Sequence, residues 1–297
     1  MSASAETGDD WVGALGTRRP SRLRHLDLIG LAITLITLVL AILWAFPLYW
    51  GLVTTFKPEY EVVRPGVNLW PEHFTIANYL HVLLQTRIGL WYFNSLITSC
   101  AVTVIVVILA AGAGYAISQL SFPGRRFFWW MILASFMVPI PALTVNHFIL
   151  MSQFHWINAL PGVIAPQLIA PVTVIIYKQF FDSVPKDFRE AAVIDGANEY
   201  QLLFRIYLPM NWGITTALAI ITFIGSWNLF LWPFVAVNTE EMMNITVGIT
   251  QVHDAFGVSY ARDLAVAMLA ALPVAVVYLI FQRRVTQAIM LSAGIKG

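Results

Sequence analysis

His147 and His155 are the only side chains inside the long apolar stretches of this sequence that titrate near neutral pH. They stand eight residues apart with no carboxylate between them, so no H-E-x-x-H face exists to hold zinc beside a general base. The four lysines, Lys57, Lys178, Lys186 and Lys296, are followed by Pro, Gln, Asp and Gly. A phosphate-binding loop needs Ser or Thr at that place. Cys100 is the single cysteine, which rules out an intrachain disulfide or a thiolate cluster, and it is expected to be a small buried hydrophobe. No catalytic residue and no metal ligand is therefore expected. The polar chemistry concentrates in Lys178–Arg205, which carries nine charges: Lys178, Asp182, Lys186, Asp187, Arg189, Glu190, Asp195, Glu199 and Arg205.

The elements that must position that segment are apolar. Of 297 residues, 59% are hydrophobic and only 11% charged, far from the balance of a water-soluble domain. Charge-free runs cover Leu28–Phe56, Ile88–Gly124, Phe127–Tyr177, Ile206–Thr239 and Leu264–Gln282. Crossing a bilayer core takes roughly 20 apolar residues, and the third run is long enough to cross twice, with a turn at Gln153–Gly162 where Asn158 and Pro161 lie. The spacing predicts six membrane helices, over 28–50, 90–118, 127–150, 161–181, 211–233 and 264–282. The polar lead 1–27 is too long, and the run after it too extended, for a cleaved signal peptide, so 28–56 is expected to stay as the first span.

Placing residue 1 inside the cell leaves thirteen Lys and Arg on inner segments against Lys57, Arg64, Arg87 and Arg262 outside. That asymmetry predicts both termini in the cytoplasm. The expected organisation is a cytoplasmic segment 1–27, a first span 28–56, a periplasmic loop 57–87, a core 88–284 and a cytoplasmic tail 285–297. Ala110–Gly114 is a run of small residues suited to close helix contact in lipid. Pro139, Pro141, Pro166, Pro171 and Pro273 fall within predicted spans, where kinks or hinges are expected. Trp44, Trp50, Trp129, Trp130, Trp227 and Trp232 lie near span ends and read as an interfacial belt.

Burying the nine charges in lipid would cost on the order of 25 kcal/mol, so Lys178–Arg205 must stand in the cytoplasm. Its pattern is that of a folded loop. Ser183 is a candidate N-cap with Pro185 in the first turn, and Gly196 can adopt the left-handed turn that ends a helix. Asn198 and Gln201 have the spacing of a capping box, and Pro209 is expected to interrupt the second helix. The prediction is a helix, a glycine elbow and a helix, with Ala191 and Ala192 offering a low profile to a soluble partner. A surface loop lying on lipid headgroups is the alternative.

Glu190-Ala-Ala-Val-Ile-Asp195-Gly196-Ala197, with Phe204-Arg-Ile-Tyr-Leu-Pro209 after it, resembles the EAA motif of permeases of bacterial ABC importers. Asn94-Ser95-Leu96, Gly114-Tyr115-Ala116 with Phe122-Pro123-Gly124-Arg125, and the tail Ser292–Gly297 resemble the carbohydrate branch, in particular its maltose-type second permease. The resemblance implies an all-α polytopic membrane protein of the type I ABC importer permease fold, with loop 182–209 as its coupling helix. It implies that Arg189, Glu190, Ala191, Ala192, Asp195, Gly196 and Ala197 couple to an ATPase, Glu190 through charge contacts, Asp195 through local hydrogen bonds and Gly196 through its turn. The tail residues Gly294, Lys296 and Gly297 would touch the ATPase as well.

By the same resemblance the partners are a second, homologous permease, two ATPase subunits and a periplasmic or surface-tethered solute-binding protein, with no nucleic acid. No cofactor belongs to this chain; ATP and Mg would sit on the ATPases. Glu240, Glu241, His253, Asp254 and Tyr260 are candidates for touching the binding protein, and Trp227 with Asn228 for touching an oligosaccharide or related sugar. Two other classes compete. A secondary carrier or channel would need titratable groups or a polar stripe in its spans, and a membrane enzyme would need a nucleophile and base at one depth.

Overall fold

The computed structural model describes residues 28–66, 68–252 and 258–292, with side chains characterised over 29–66, 68–252 and 258–282. Residues 28–49 belong to one compact unit, and everything from Trp50 onward to another. The described residues are helical, with no strand among them.

Helix α1, Leu28–Thr55, runs through Pro47, and its side chains up to Leu48 are exposed apart from the half-buried Gly30. After it come the single turn α2, Glu59–Val62, then α3, Ala77–Gln85, and α4, Ile88–Gln119. The 32 residues of α4 contain no proline, and one stripe of them is buried: Trp91, Ser95, Thr98, Val102, Val106 and Ala110 recur at three- and four-residue steps. Val104, Ile108 and Leu109 lie exposed on other faces, as lipid contact requires. Cys100 is exposed too, contrary to the buried position expected for it; it lies off the buried stripe. The small-residue run does what its composition predicts. A Cβ on Gly114 would fall 2.7 Å from Cβ of Tyr177 and 3.1 Å from the amide of Lys178.

The two spans expected over 127–150 and 161–181, with kinks or hinges at their prolines, are broken into bent helix pairs. Helix α5, Arg125–Phe136, ends before Pro139. The chain resumes as a 3-10 turn, Ile140–Leu143, and α6, Thr144–Gln153, bent 97° from α5. His155 and Asn158 then take left-handed backbone angles of 57° and 58°, which reverses the chain inside the expected turn. Helix α7, Leu160–Ile164, and the 3-10 turn Ala165–Leu168 stop before Pro171, which opens α8, Pro171–Asp182, at 47°. Proline explains both breaks. It lacks the amide that would continue the ladder and pushes its predecessor out of the helical region; Ala170 sits at φ −128°, ψ 67°.

Helix α9, Lys186–Ile194, follows, then α10, Glu199–Leu202, the π-turn Leu203–Tyr207 and the short α11, Leu208–Met210. Pro209 does not interrupt this helix where expected. The missing amide coincides with the π-turn, closed by a Leu208 N–H to Leu203 carbonyl bond, and the 86° break comes at Asn211, where α12, Trp212–Trp227, begins. The span expected to reach 233 ends at Trp227, and α13, Leu231–Ala236, is separate. Helices α14, Ile245–Gly248, and α15, Tyr260–Ser292, complete the described residues; α15 passes Pro273 without a break.

Three helices, over Ile29–Thr55, Ile88–Gln119 and Tyr260–Gln282, are each long and apolar enough to cross a membrane. Three bent pairs meet the same test, so six crossings result when each pair crosses once.

Candidate functional site

The charged segment folds as an elbow. Its first helix ends in a complete C-terminal motif: the Gly196 amide donates to the Val193 carbonyl at 3.0 Å and the Ala197 amide to the Ala192 carbonyl at 2.9 Å. That arrangement needs a left-handed residue, and Gly196 supplies it at φ 83°. The second helix starts with the predicted capping box. Asn198 Oδ1 accepts from the Gln201 amide and Gln201 Oε1 from the Asn198 amide, both at 2.9 Å. Ser183 is not the N-cap expected of it. Pro185 holds that position, and the Ser183 hydroxyl donates back to the Phe180 carbonyl at 2.7 Å, closing α8.

The elbow is tied to the Gln119 end of α4 by side chains. The Tyr115 hydroxyl donates to Glu199 Oε2, and Arg189 Nη2 meets Glu199 Oε1 at 2.6 Å. Partial burial works against the Arg189 charge, but Glu199 outweighs it and holds the guanidinium more firmly protonated than in water. The Tyr207 hydroxyl donates to Gln119 Oε1 at 2.7 Å. Beneath these bonds Tyr115, Tyr177, Phe181 and Tyr207 form a buried aromatic cluster joined by Leu202, with edge contacts such as 5.1 Å between the Tyr115 and Tyr207 centroids.

The opposite face of the elbow is bare. Glu190, Ala191 and Asp195 are exposed, while Ala192 and Ala197 are half-buried against the cluster. The Asp195 side chain makes no hydrogen bond with a described residue. Phe188, Val193 and Phe204 are exposed, with Ile194 at 86% and Tyr200 at 77%. Five large apolar side chains are thus exposed on a highly charged segment, which suits a surface that meets a partner.

The Ile88 end of α4 holds a second segment, and here the bonds run to backbone. Trp91 Nε1 donates to the Glu240 carbonyl at 3.1 Å, and Asn94 Nδ2 to the Glu241 and Met243 carbonyls at 2.8 and 3.0 Å. Ser95 Oγ accepts from the Ile245 amide at 2.7 Å. A Cβ on Gly248 would stand 2.2 Å from the Trp91 ring, so only glycine fits there. Arg87 closes the segment, at 3.3 Å from Glu240 and 2.8 Å from Glu241. Both carboxylates expected to face a binding protein are thus half-engaged within the chain.

Tyr260 is exposed at the start of α15. Its amide, that of Ala261 and the Ser259 hydroxyl all donate to Glu59, at 2.9, 3.0 and 3.0 Å. Glu59 therefore caps a helix two hundred residues away, a role that no local sequence signal announces. His253, Asp254, Gly294, Lys296 and Gly297 lie outside the described residues.

Trp227 is 2% exposed, its ring stacked on Phe223 and its indole donating to the Ala270 carbonyl at 3.1 Å. Trp232 is likewise buried, bonded to the Gly162 carbonyl at 3.1 Å. These two leave the expected interfacial belt and join the core; Trp44 and Trp130 remain exposed. Asn228 is exposed. Neither Trp227 nor Asn228 lines the cavity of about 410 Å3 where the broken helices meet α12. Its polar lining is Ser135, His147, Gln167, Thr173, Thr222 and Ser226, with Ser226 donating to Gln167 Oε1 at 2.8 Å. Among the described residues, no group of three or more His, Cys, Asp or Glu is placed to hold a metal ion.

Long apolar helices and a folded, charged elbow are thus the two features of this chain that a comparison with known proteins has to explain. Residues 107–290 match the family described as binding-protein-dependent transport system inner membrane component, and the chain belongs to that family. It is 31% identical over 263 residues to the arabinooligosaccharides transport system permease protein AraQ of Halalkalibacterium halodurans, covering 87% of this chain and 93% of that protein. It is 33% identical to the diacetylchitobiose uptake system permease protein NgcG of Streptomyces coelicolor, over 84% of this chain and 85% of that one. Its fold matches that of a chain from a bacterial ABC transporter that imports the acidic polysaccharide alginate. There the TM-score is 0.76 at 22% identity, covering 86% of this chain and 96% of the other.

Proposed function

We propose that this chain is the membrane permease of an ATP-driven, binding-protein-dependent importer that carries an oligosaccharide or related sugar into the cytoplasm. The single observation that carries the reading is the elbow, folded on one side and bare on the other, in a chain of this family. The relatives named for arabinooligosaccharide and diacetylchitobiose uptake support the sugar class. Two ATPase subunits hold ATP and Mg, a second permease completes the path, and a solute-binding protein delivers the sugar. The excess of Lys and Arg on one side supports both termini inside a bacterial cytoplasmic membrane, and three long apolar helices with three bent pairs support six crossings.

Closure of the ATPases pushes Phe188, Ile194 and Tyr200. The push passes through Arg189–Glu199–Tyr115 to α4, and the broken helices around the cavity change their angles. The solute meets Gln167, Ser226 and His147 in transit, and the buried ring of Trp227 fixes the turn of α12 that carries Ser226. The segment from Glu240 to Tyr260 faces the binding protein.

Ile194→Asp tests the reading. Losing one buried isoleucine at an interface weakens it by about 1.5–3 kcal/mol, so ATPase co-purification and sugar uptake should fall about tenfold or more. The thermal midpoint should not move, because Ile194 is exposed in the isolated chain. Unchanged co-purification and unchanged uptake would overturn the docking assignment.

A further inference from the structure

On the elbow side, where the ends of α4, α5 and α8 meet, lies an open pocket of about 520 Å3. Arg125, Arg126 and Lys178 line it together with Trp129, and Ile117 and Phe122 add apolar surface. Three cations from two helices gather here, and among the described residues one carboxylate answers them. Asp182 takes Lys178 Nζ at 2.5 Å, and its other oxygen accepts from the Ser118 hydroxyl at 2.6 Å. The ammonium of Lys178 also stands 4.9 Å over the Trp129 ring. Arg125 is turned to the Leu120 and Ser118 carbonyls at 3.0 and 3.3 Å. Arg126 is exposed and forms no hydrogen bond or ion pair with any described residue. Three cations against one carboxylate leave the pocket with two positive charges in excess.

The surroundings select the counter-ion. Phe127 and Trp130 are exposed beside the pocket on α5, at 67% and 59%. A free anion would leave these rings uncovered. A phospholipid covers them with its chains while its phosphate meets the cations. We propose that the pocket binds the phosphodiester headgroup of an anionic phospholipid, such as phosphatidylglycerol. Arg126 supplies a planar fork for two phosphate oxygens, Lys178 a point charge, and the N-terminus of α5 a further partial positive charge. Basic pockets between membrane helices suit anionic headgroups for these reasons. The site stands whatever solute the chain carries, because it uses none of the elbow's exposed residues.

The purified full-length chain in detergent, titrated with phosphatidylglycerol, phosphatidylcholine or inorganic phosphate, provides the test. Retained lipid is read by native mass spectrometry and stability by thermal midpoint. Phosphatidylglycerol should be retained and should raise the midpoint, while phosphatidylcholine and inorganic phosphate should do neither. Arg126→Gln should weaken retention about fivefold, and Arg126→Gln with Lys178→Gln about 20-fold. Arg205→Gln removes a cation of the elbow segment outside the pocket and should change nothing. Equal retention of the two lipids would overturn the proposal, as would inorganic phosphate matching the lipid's effect. An Arg205→Gln loss as large as that of Arg126→Gln would also sink it, since diffuse charge would then suffice. The single Arg126 variant keeps the test decisive if the double variant unfolds.

Discussion

The two ends of α4 hold their cargo in different ways. At the Ile88 end, Trp91, Asn94 and Ser95 reach backbone groups of Glu240–Ile245, and all three are buried. At the Gln119 end, Tyr115 and Gln119 reach the side chains of Glu199 and Tyr207, and Arg189 and Glu199 remain partly open to solvent. A backbone-directed clamp in a dry site fixes shape, because displacing it strands carbonyls without partners. A bond between side chains can swing on its rotamers and re-form. The first end is built as a fixed mount and the second as a joint, which suits an element that receives force.

Substitution at the mount should break the contrast most. Gly248→Val places a Cβ 2.2 Å from the Trp91 ring, and overpacking of this kind costs about 3 kcal/mol. A large fall in the thermal midpoint of the purified chain is expected, with loss of the α14 packing. An unchanged midpoint would show that Trp91 swings aside and that the mount is not rigid.

Asn94→Ala comes next. It removes two hydrogen bonds and leaves the Glu241 and Met243 carbonyls to find other partners, at about 2 kcal/mol. Chemical unfolding in detergent measures that loss. Transport should fall with stability, as expected of a mount, with no separate loss of coupling.

The joint should behave oppositely. Arg189→Gln opens the 2.6 Å pair with Glu199, which is partly exposed, so stability should fall by less than about 1 kcal/mol. The ratio of sugar moved to ATP hydrolysed should drop by more than the stability loss accounts for. Tyr115→Phe, which deletes the other bond to Glu199, should do the same. A drop in stability matching the drop in transport would make this end a second mount.

How much of this was legible depended on range. Gly196 with Asn198 and Gln201 foretold the elbow because a C-terminal turn and a capping box are made by residues three or four apart. The small run ending at Gly114 foretold a close approach, without naming Tyr177 as the neighbour. The polar pair Asn94-Ser95 inside an apolar run was a visible signal for a buried polar contact, yet its partners lie about 150 residues on. Glu59 gave no signal at all, since its partners at 259–261 are set by folding alone. The broken pairs are expected as single kinked spans because hydropathy counts apolar residues and says nothing of direction; Pro139 and Pro171 mark the places but not the angles of 97° and 47°. Trp227 and Trp232 were read from position, and their buried indole bonds depend on helices that sequence order does not bring together.

Glu61, on α2 within the α1–α3 connection, extends the comparison to a third anchor, whose mark is a response to acid. Its carboxylate is 3% exposed and accepts the Glu72 and His73 amides at 2.9 and 3.2 Å. Burial alone would raise its affinity for a proton. The two amides, with Lys57 and His73 nearby, outweigh burial and hold the group below its usual carboxylate range. A carboxylate with a depressed folded pKa stabilises the fold fully above its unfolded value of about 4.3, and that contribution vanishes as pH falls through the lower folded value. Near neutrality that contribution is complete, so Glu61→Gln should have a lower thermal midpoint than the wild type, and neither midpoint should change with pH through this group. Between about pH 5 and the folded pKa, the wild-type midpoint should fall more steeply than that of the variant. Parallel acid profiles would mean that Glu61 is held by shape rather than by its charge.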